Sequence, residues 1–162
     1  MDATTPQEEA FDFNRHKLVA IDAYQKKRTL FQNYAESIRG IIRESLNKSS
    51  IKVASIEIRA KDVESFGKKA SLPLKTNPNL PAYKEPLKEI TDLAGIRIIT
   101  FFPRTIDEVD GIINYEFEVI EKSDKSDILI EERFGYQGIH YLVKLKANRI
   151  TLPEYSQFIG LI

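Results

Sequence analysis

Apolar and polar positions change their spacing several times along this chain, and each change predicts an element. From roughly His16 to Leu46 the apolar residues recur at helical spacing. Leu30, Tyr34, Ile38, Ile41 and then Ser45 or Leu46 share one stripe, and Lys26, Lys27, Arg28, Arg39 and Arg43 fall mostly off it. That is the pattern of one long helix or two in series, ended by Asn47-Lys48-Ser49-Ser50. From Ile51 to Arg59 the period drops to two, with Ala54, Ile56 and Ile58 on one face and Ser55, Glu57 and Arg59 on the other, which predicts a strand. Asp62 then reads as an N-cap opening a short helix through Val63, Phe66 and Ala70. Ser71 to Tyr83, with Pro73, Pro78 and Pro81, reads as a loop, either a functional lid or a connection.

Pro86 can start a short helical turn. Ile96, Ile98, Ile99, Phe101 and Phe102 then form a run too dense in β-branched and aromatic residues for a half-exposed strand, which predicts a central strand over 94–102. Pro103 stops it. Thr105 is expected to cap a helix with Asp107 and Glu108 in its first turn and Ile106, Val109, Ile112 and Ile113 on its buried side. Strands are expected over 117–122 and 140–146, with a polar turn from Ser123 to Asp127. Residues 1–14 are polar and acidic and read as a flexible N-terminal arm, leaving 15–162 as the domain proper.

Composition narrows the class. A chain of 162 residues, 42% hydrophobic and 30% charged, suffices for one domain with a real core. Its apolar runs are far shorter than the roughly 20 residues of a membrane-spanning helix, and its first residues lack the basic and apolar regions of a signal peptide. There is no cysteine, so disulfides and thiolate metal sites are excluded and a cytoplasmic protein is expected. Formal net charge is zero. Affinity for nucleotides or nucleic acid must therefore come from a local cluster of Lys and Arg.

Three stretches carry candidate chemistry. Asp92 stands just before the predicted central strand and Arg97 inside it, where an arginine needs a partner or a ligand; Gly95 between them permits close approach of a backbone or a phosphate. An Asp–Arg pair that only ties the strand down is the plain alternative. At the strand-to-helix corner, Arg59, Lys61, Ser65 and Lys69 and the free N–H groups of the helix could converge on a polyphosphate, or be ordinary surface charge. Asp62 there would repel phosphate unless it faces away. Gly135-Tyr136-Gln137-Gly138 and His140 could present an aromatic face and hydrogen-bonding groups to a planar base, although a lone Tyr or His is commonly structural. Lys26-Lys27-Arg28 reads as a nucleic-acid patch or, more simply, as a solvated helix face.

Arg59-x-Lys61-x-x-x-Ser65-x-x-x-Lys69, Asp92-Leu-Ala-Gly95-Ile-Arg97 and Gly135-Tyr136-Gln137-x-x-His140, in that order, resemble the synthetase domain of the RelA/SpoT family of alarmone synthetases. The resemblance runs more loosely from about Phe13 to the last residue. It implies an α/β fold, nucleotidyltransferase-like, with a mixed β-sheet flanked by helices and a long N-terminal helical segment. It also implies transfer of the β,γ-pyrophosphate of ATP to the ribose 3′-hydroxyl of GDP or GTP, yielding guanosine tetra- or pentaphosphate and AMP. By the same resemblance Asp92 matches a Mg2+-binding aspartate, Arg59 and Arg97 match arginines stacking on adenine, and Lys61, Ser65 and Lys69 match positions near the ATP phosphates. Tyr136 matches a tyrosine stacking on the acceptor's guanine, beside Gln137, and His140 a residue near the acceptor's phosphates or ribose. Asp92, Arg97 and His140 are thus the expected catalytic set.

Three departures from the family pattern stand out. The family's Glu-x-Gln-x-Arg-Thr motif, source of a second metal ligand and a base, does not occur before Ile162, so the chain as given is expected to be truncated and weakly active or inactive. Glu132-Arg133-Phe134 stands where many members have Lys-x-Asn, which leaves the acceptor open. Asp62 replaces a small residue after Lys61. The His-Asp dipeptide of the alarmone hydrolase domain is absent, since the only histidines are His16 and His140. Two other readings remain: a toxin-type relative that pyrophosphorylates tRNA 3′ ends, and a non-catalytic nucleotide-binding or interaction module. A homo-oligomer is compatible with each.

Overall fold

Helix α1 (Phe13–Lys48) is a single 36-residue helix rather than two in series. It contains no proline, so its hydrogen-bond ladder is never interrupted. At its end Ser50 takes a positive φ of 57°, and the amides of Ser50 and Ile51 return to the carbonyls of Asn47 and Leu46 at 3.1 and 3.0 Å. This is the left-handed exit that satisfies the last carbonyls of a helix. The computed structural model describes residues 10–124 and 138–161. They form two compact units: the residues up to Thr29 with Lys61–Leu93, and Leu30–Ala60 with the residues from Ala94 onward.

In the first unit the early part of α1 packs on helix α2 (Val63–Ala70). Tyr24 and Phe66 are fully buried and their rings stack 4.4 Å apart. Gly67 makes this approach possible: a Cβ there would stand 2.6 Å from the Ile21 Cδ1. The stretch expected to be a loop instead contains a short antiparallel hairpin, β2 (Pro73–Leu74) with β3 (Asn77–Pro81). Its prolines sit where hairpin ends and edges tolerate a missing N–H. The turn expected at Pro86 is helix α3 (Pro86–Glu89). Ile90 and Leu93 are buried.

In the second unit the later part of α1 supplies Tyr34, Ile38, Ile41 and Leu46 of the predicted stripe to the core, joined by Ile42, with Leu30 partly buried against it. Strand β1 (Ser55–Ala60) pairs antiparallel with β4 (Ala94–Ile99). Helix α4 (Arg104–Glu116) buries Val109, Ile112 and Ile113, and β5 (Phe117–Asp124) pairs antiparallel with β6 (Ile139–Leu145). A short helix α5 (Ala147–Ile150) and a 3-10 turn (Ser156–Phe158) bring Phe158 against Tyr34, with ring centroids 5.1 Å apart.

The α/β class and the long N-terminal helix are as expected, with four corrections of detail. Among the described residues the strands pair two by two, all antiparallel. In place of a central strand to Phe102, β4 stops at Ile99, and Phe101 and Phe102 are exposed at 62% and 58%; their apolar density misled because only Ala94, Ile96 and Ile98 pack on the core. Helix α4 starts one residue before Thr105, whose side chain is buried rather than capping. Ser123 and Asp124 end strand β5 instead of opening a turn, and the rest of that predicted turn lies outside the described residues.

Candidate functional site

Lys61, between β1 and α2, is held through its backbone at both ends of its peptide unit. Its amide donates to the Leu93 carbonyl at 2.9 Å. Its own carbonyl accepts from the Tyr24 hydroxyl at 2.7 Å and from Arg28 Nε at 3.3 Å. Three bonds from distant parts of the sequence thus fix one backbone unit, and the side chain leaves it in a set direction. Its Nζ reaches Asp92 Oδ2 at 2.7 Å, while Lys69, near the end of α2, places its Nζ 3.0 Å from Asp92 Oδ1. Both oxygens of one carboxylate therefore carry an ammonium group.

Exposure within this cluster is graded: the Lys61 side chain is 13% exposed, Lys69 31% and Asp92 44%. Burial alone would push the Asp92 carboxyl up, but the hydrogen bonds and charges of Lys61 and Lys69 outweigh it and hold the group below its ordinary value. Asp92 is an anion at neutral pH. The cluster nonetheless holds one positive charge in excess, which is a setting for a more highly charged anion.

Asp62 is the N-cap the pattern predicts: its Oδ1 accepts from the Ser65 amide at 2.9 Å, a bond that also holds its carboxyl below the usual range. This corrects one expectation. The Ser65 amide, expected to be open to a phosphate, is taken by Asp62, and the carboxylate faces the helix end. Ser65 itself is exposed, one helical turn before Lys69. The cationic side chains, rather than the α2 terminus, make this corner receptive to anions.

In the second unit, cross-strand register puts Arg59 opposite Gly95 and Glu57 opposite Arg97. Opposite residues of an antiparallel pair share a face, so Glu57, Arg59 and Arg97 stand together on the exposed face of the β1–β4 pair, away from Ile56, Ile58, Ile96 and Ile98. Gly95 has a specific use here. The Arg59 stem lies across it, with Cγ 3.5 Å and Nε 3.6 Å from where a Cβ would be. The space that a phosphate or a backbone was expected to take is filled by this arginine. Arg97 is exposed, so it is not half of a buried ion pair. Arg59 and Arg97 thus lie near each other on one exposed strand face.

His140 lies exposed on β6 opposite Ser123. Tyr136 and Gln137 lie outside the described residues. Tyr24, which with Arg28 clamps Lys61, carries no signal in the sequence, and Arg28 stands out there only as part of the basic run. A side chain bonded to a carbonyl more than thirty residues away leaves no local pattern. Of the basic run, Arg28 donates its Nε to the Lys61 carbonyl and Lys26 pairs with Asp22 at 2.6 Å.

The implied Mg2+ needs near-octahedral oxygen ligation, commonly one or two carboxylates plus phosphate oxygens and water. Among the described residues no three Asp, Glu or His side chains gather to hold a metal, and both Asp92 oxygens are engaged by lysines. As arranged, these residues do not form a Mg2+ site. Among the described residues, too, no helix is long and apolar enough to cross a membrane.

Compared with known proteins, residues 58–154 match the family model described as the region found in RelA / SpoT proteins. The matched segment covers more than half of the chain and contains Arg59, Lys61, Ser65, Lys69, Asp92, Arg97, Tyr136, Gln137 and His140. No curated protein and no solved structure matches the chain. With the match extending from β1 through the lysine-carboxylate corner to β6 and α5, the chain belongs to the RelA/SpoT family.

Proposed function

We propose that this protein is a guanosine polyphosphate synthetase that moves the β,γ-pyrophosphoryl group of ATP to the 3′-hydroxyl of GDP or GTP. Family membership supports a synthetase of this type acting on nucleotides, in a family that generally uses Mg2+. The observation that carries the reading is the meeting of Lys61 and Lys69 on Asp92, two ammonium groups held at fixed places with one positive charge in excess.

In this reaction the acceptor 3′-oxygen forms a bond to the β-phosphorus of ATP, the bond from that phosphorus to the bridging oxygen breaks, AMP leaves with the electron pair, and the hydroxyl proton is released. Such transfers ask a protein mainly for positioning and for positive charge where the phosphoryl oxygens carry it. Lys61 and Lys69 supply that charge, and exposed Ser65 a hydroxyl for the same phosphates. Arg59 and Arg97 are assigned to the adenine ring, since guanidinium planes stack on bases. Asp92 holds the two ammonium groups beside each other. Tyr136 and Gln137 are assigned to the guanine of the acceptor and His140 to its ribose or phosphates.

Incubation with ATP labelled in its γ-phosphate and with GDP or GTP tests this directly. The expected result is AMP and a guanosine carrying the label on its 3′ position, in equal amounts. Label appearing in added tRNA instead would favour the RNA-modifying reading. Absence of both products together with no binding of an ATP analogue would leave a non-catalytic module.

A further inference from the structure

Two peptide planes meet at the Lys61 Cα, and both are fastened by groups distant in sequence. The plane before it donates its N–H to the Leu93 carbonyl at 2.9 Å. The plane after it accepts, at its carbonyl oxygen, from the Tyr24 hydroxyl at 2.7 Å and from Arg28 Nε at 3.3 Å, one donor for each lone pair. Because peptide planes are rigid, φ and ψ of Lys61 are the only freedoms between the two. Holding both planes fixes both angles, and so fixes where the lysine stem starts and which way it points. Lys61 needs this help, since it belongs to neither β1 nor α2.

The donors are suited to the task. Tyr24 is fully buried and stacks on Phe66 with 4.4 Å between ring centroids, packing that a phenylalanine would serve as well. What the phenol adds is a hydroxyl, and that hydroxyl donates to the Lys61 carbonyl. Arg28 stands one helical turn further along α1 and donates to the same oxygen. The Lys61 side chain that leaves this anchored backbone is 13% exposed, against 31% for Lys69, which α2 carries. An ammonium group held in place beforehand loses less freedom when an anion binds, and binds it more tightly for that reason. We infer that Tyr24 and Arg28 are positioning residues, which act through the Lys61 carbonyl to hold the Lys61 ammonium ready for polyphosphate. The inference rests on the polyphosphate reading above and adds to it two residues of α1 that lie outside the family-matched segment.

Double-mutant cycles, read by calorimetric titration of the full chain with a non-hydrolysable ATP analogue, test this. Tyr24→Phe, which keeps the ring and its stacking, should weaken binding about fivefold, the scale of one hydrogen bond. Adding Arg28→Lys, which keeps the charge and gives up the Nε donor, should deepen the loss to about tenfold. In a Lys61→Ala background Tyr24→Phe should change affinity by less than about twofold, because the group it positions is gone; in a Lys69→Ala background it should again cost about fivefold. A phenol that only stabilised the fold would act alike in both backgrounds. Tyr141→Phe, which gives up a phenol hydrogen bond to Asp110 in the second unit, is the control and should leave affinity within about twofold. Two results would each overturn the positioning role and leave the polyphosphate reading standing: similar losses from Tyr24→Phe in both lysine backgrounds, or no loss from it while Lys61→Ala still weakens binding. Wild-type affinity in Lys61→Ala, or no binding of the analogue by wild type, overturns that reading and the positioning role with it.

Discussion

Asp92 in the first unit and Asp110 in the second each gather several donors, but the donors differ in kind. Asp92 holds two lysine ammonium groups, one on each oxygen. Asp110 concentrates three donors on its Oδ1: Lys122 Nζ at 2.8 Å, the Tyr141 hydroxyl at 2.5 Å and Asn114 Nδ2 at 3.0 Å. Both carboxyls are held below their ordinary value, Asp110 chiefly by the Lys122 and Tyr141 hydrogen bonds. A lysine on a flexible stem can hand its charge to a different anion. A phenol rooted in β6 and an amide one turn along the same helix cannot do so without loosening the hairpin from α4. The first arrangement suits an exchangeable ligand and the second fastens secondary structure, although in a list of charged residues the two aspartates look alike.

The largest expected contrast comes from the lysines. Replacing Lys61 and Lys69 together by Ala should weaken binding of a non-hydrolysable ATP analogue by about 100-fold or more, since each charge-assisted bond is worth ~1.5–3 kcal/mol. Lys122→Ala should leave that affinity within about twofold, as calorimetry would show. Arg97→Ala should cost about tenfold in the same titration, from loss of one stacking partner at ~1–3 kcal/mol, with no change in melting temperature.

Tyr141→Phe inverts the contrast. It should lower stability by ~1–2 kcal/mol in urea unfolding and leave nucleotide binding alone. Solvent pH gives a smaller, two-sided version. The Asp92 and Asp110 carboxyls have lowered values in the fold, so the stability they contribute is present above the ordinary carboxyl value of ~4 and is lost as pH falls through their own. Burial first, and then the bond to Asp110, raises the Tyr141 phenol, so its contribution is complete below the ordinary ~10 and is lost as pH climbs beyond it. Urea midpoints across pH should fall at both ends, and Tyr141→Phe should flatten the alkaline fall alone. The smallest effect belongs to the exposed Lys26–Asp22 pair, whose removal by Lys26→Ala should shift stability by no more than ~0.5 kcal/mol.

What could be read in the sequence follows from how local each cause is. The stripe of α1, the Asp62 cap, the start at Pro86 and the alternation in β1 depend on neighbours a few residues apart, and all are present. The exposure of Phe101 and Phe102, the hairpin through Pro73 and Pro81 and the clamp of Tyr24 and Arg28 on Lys61 depend on segments brought together by folding. Within the candidate site, Lys61, Lys69 and Asp92 were named from their motifs and do meet. The sequence could not show that they satisfy one another. Gly95 was recognised as a place of close approach, but the group that approaches is the Arg59 stem.

Calorimetric titration of the wild-type protein, the Lys61→Ala/Lys69→Ala variant and Tyr141→Phe with one non-hydrolysable ATP analogue and Mg2+ bears most directly on the claim that the lysine-carboxylate corner receives polyphosphate. The account predicts saturable one-to-one binding by wild type and Tyr141→Phe alike and loss of about two orders of magnitude or more in the double variant. Equal affinity in all three proteins would contradict it.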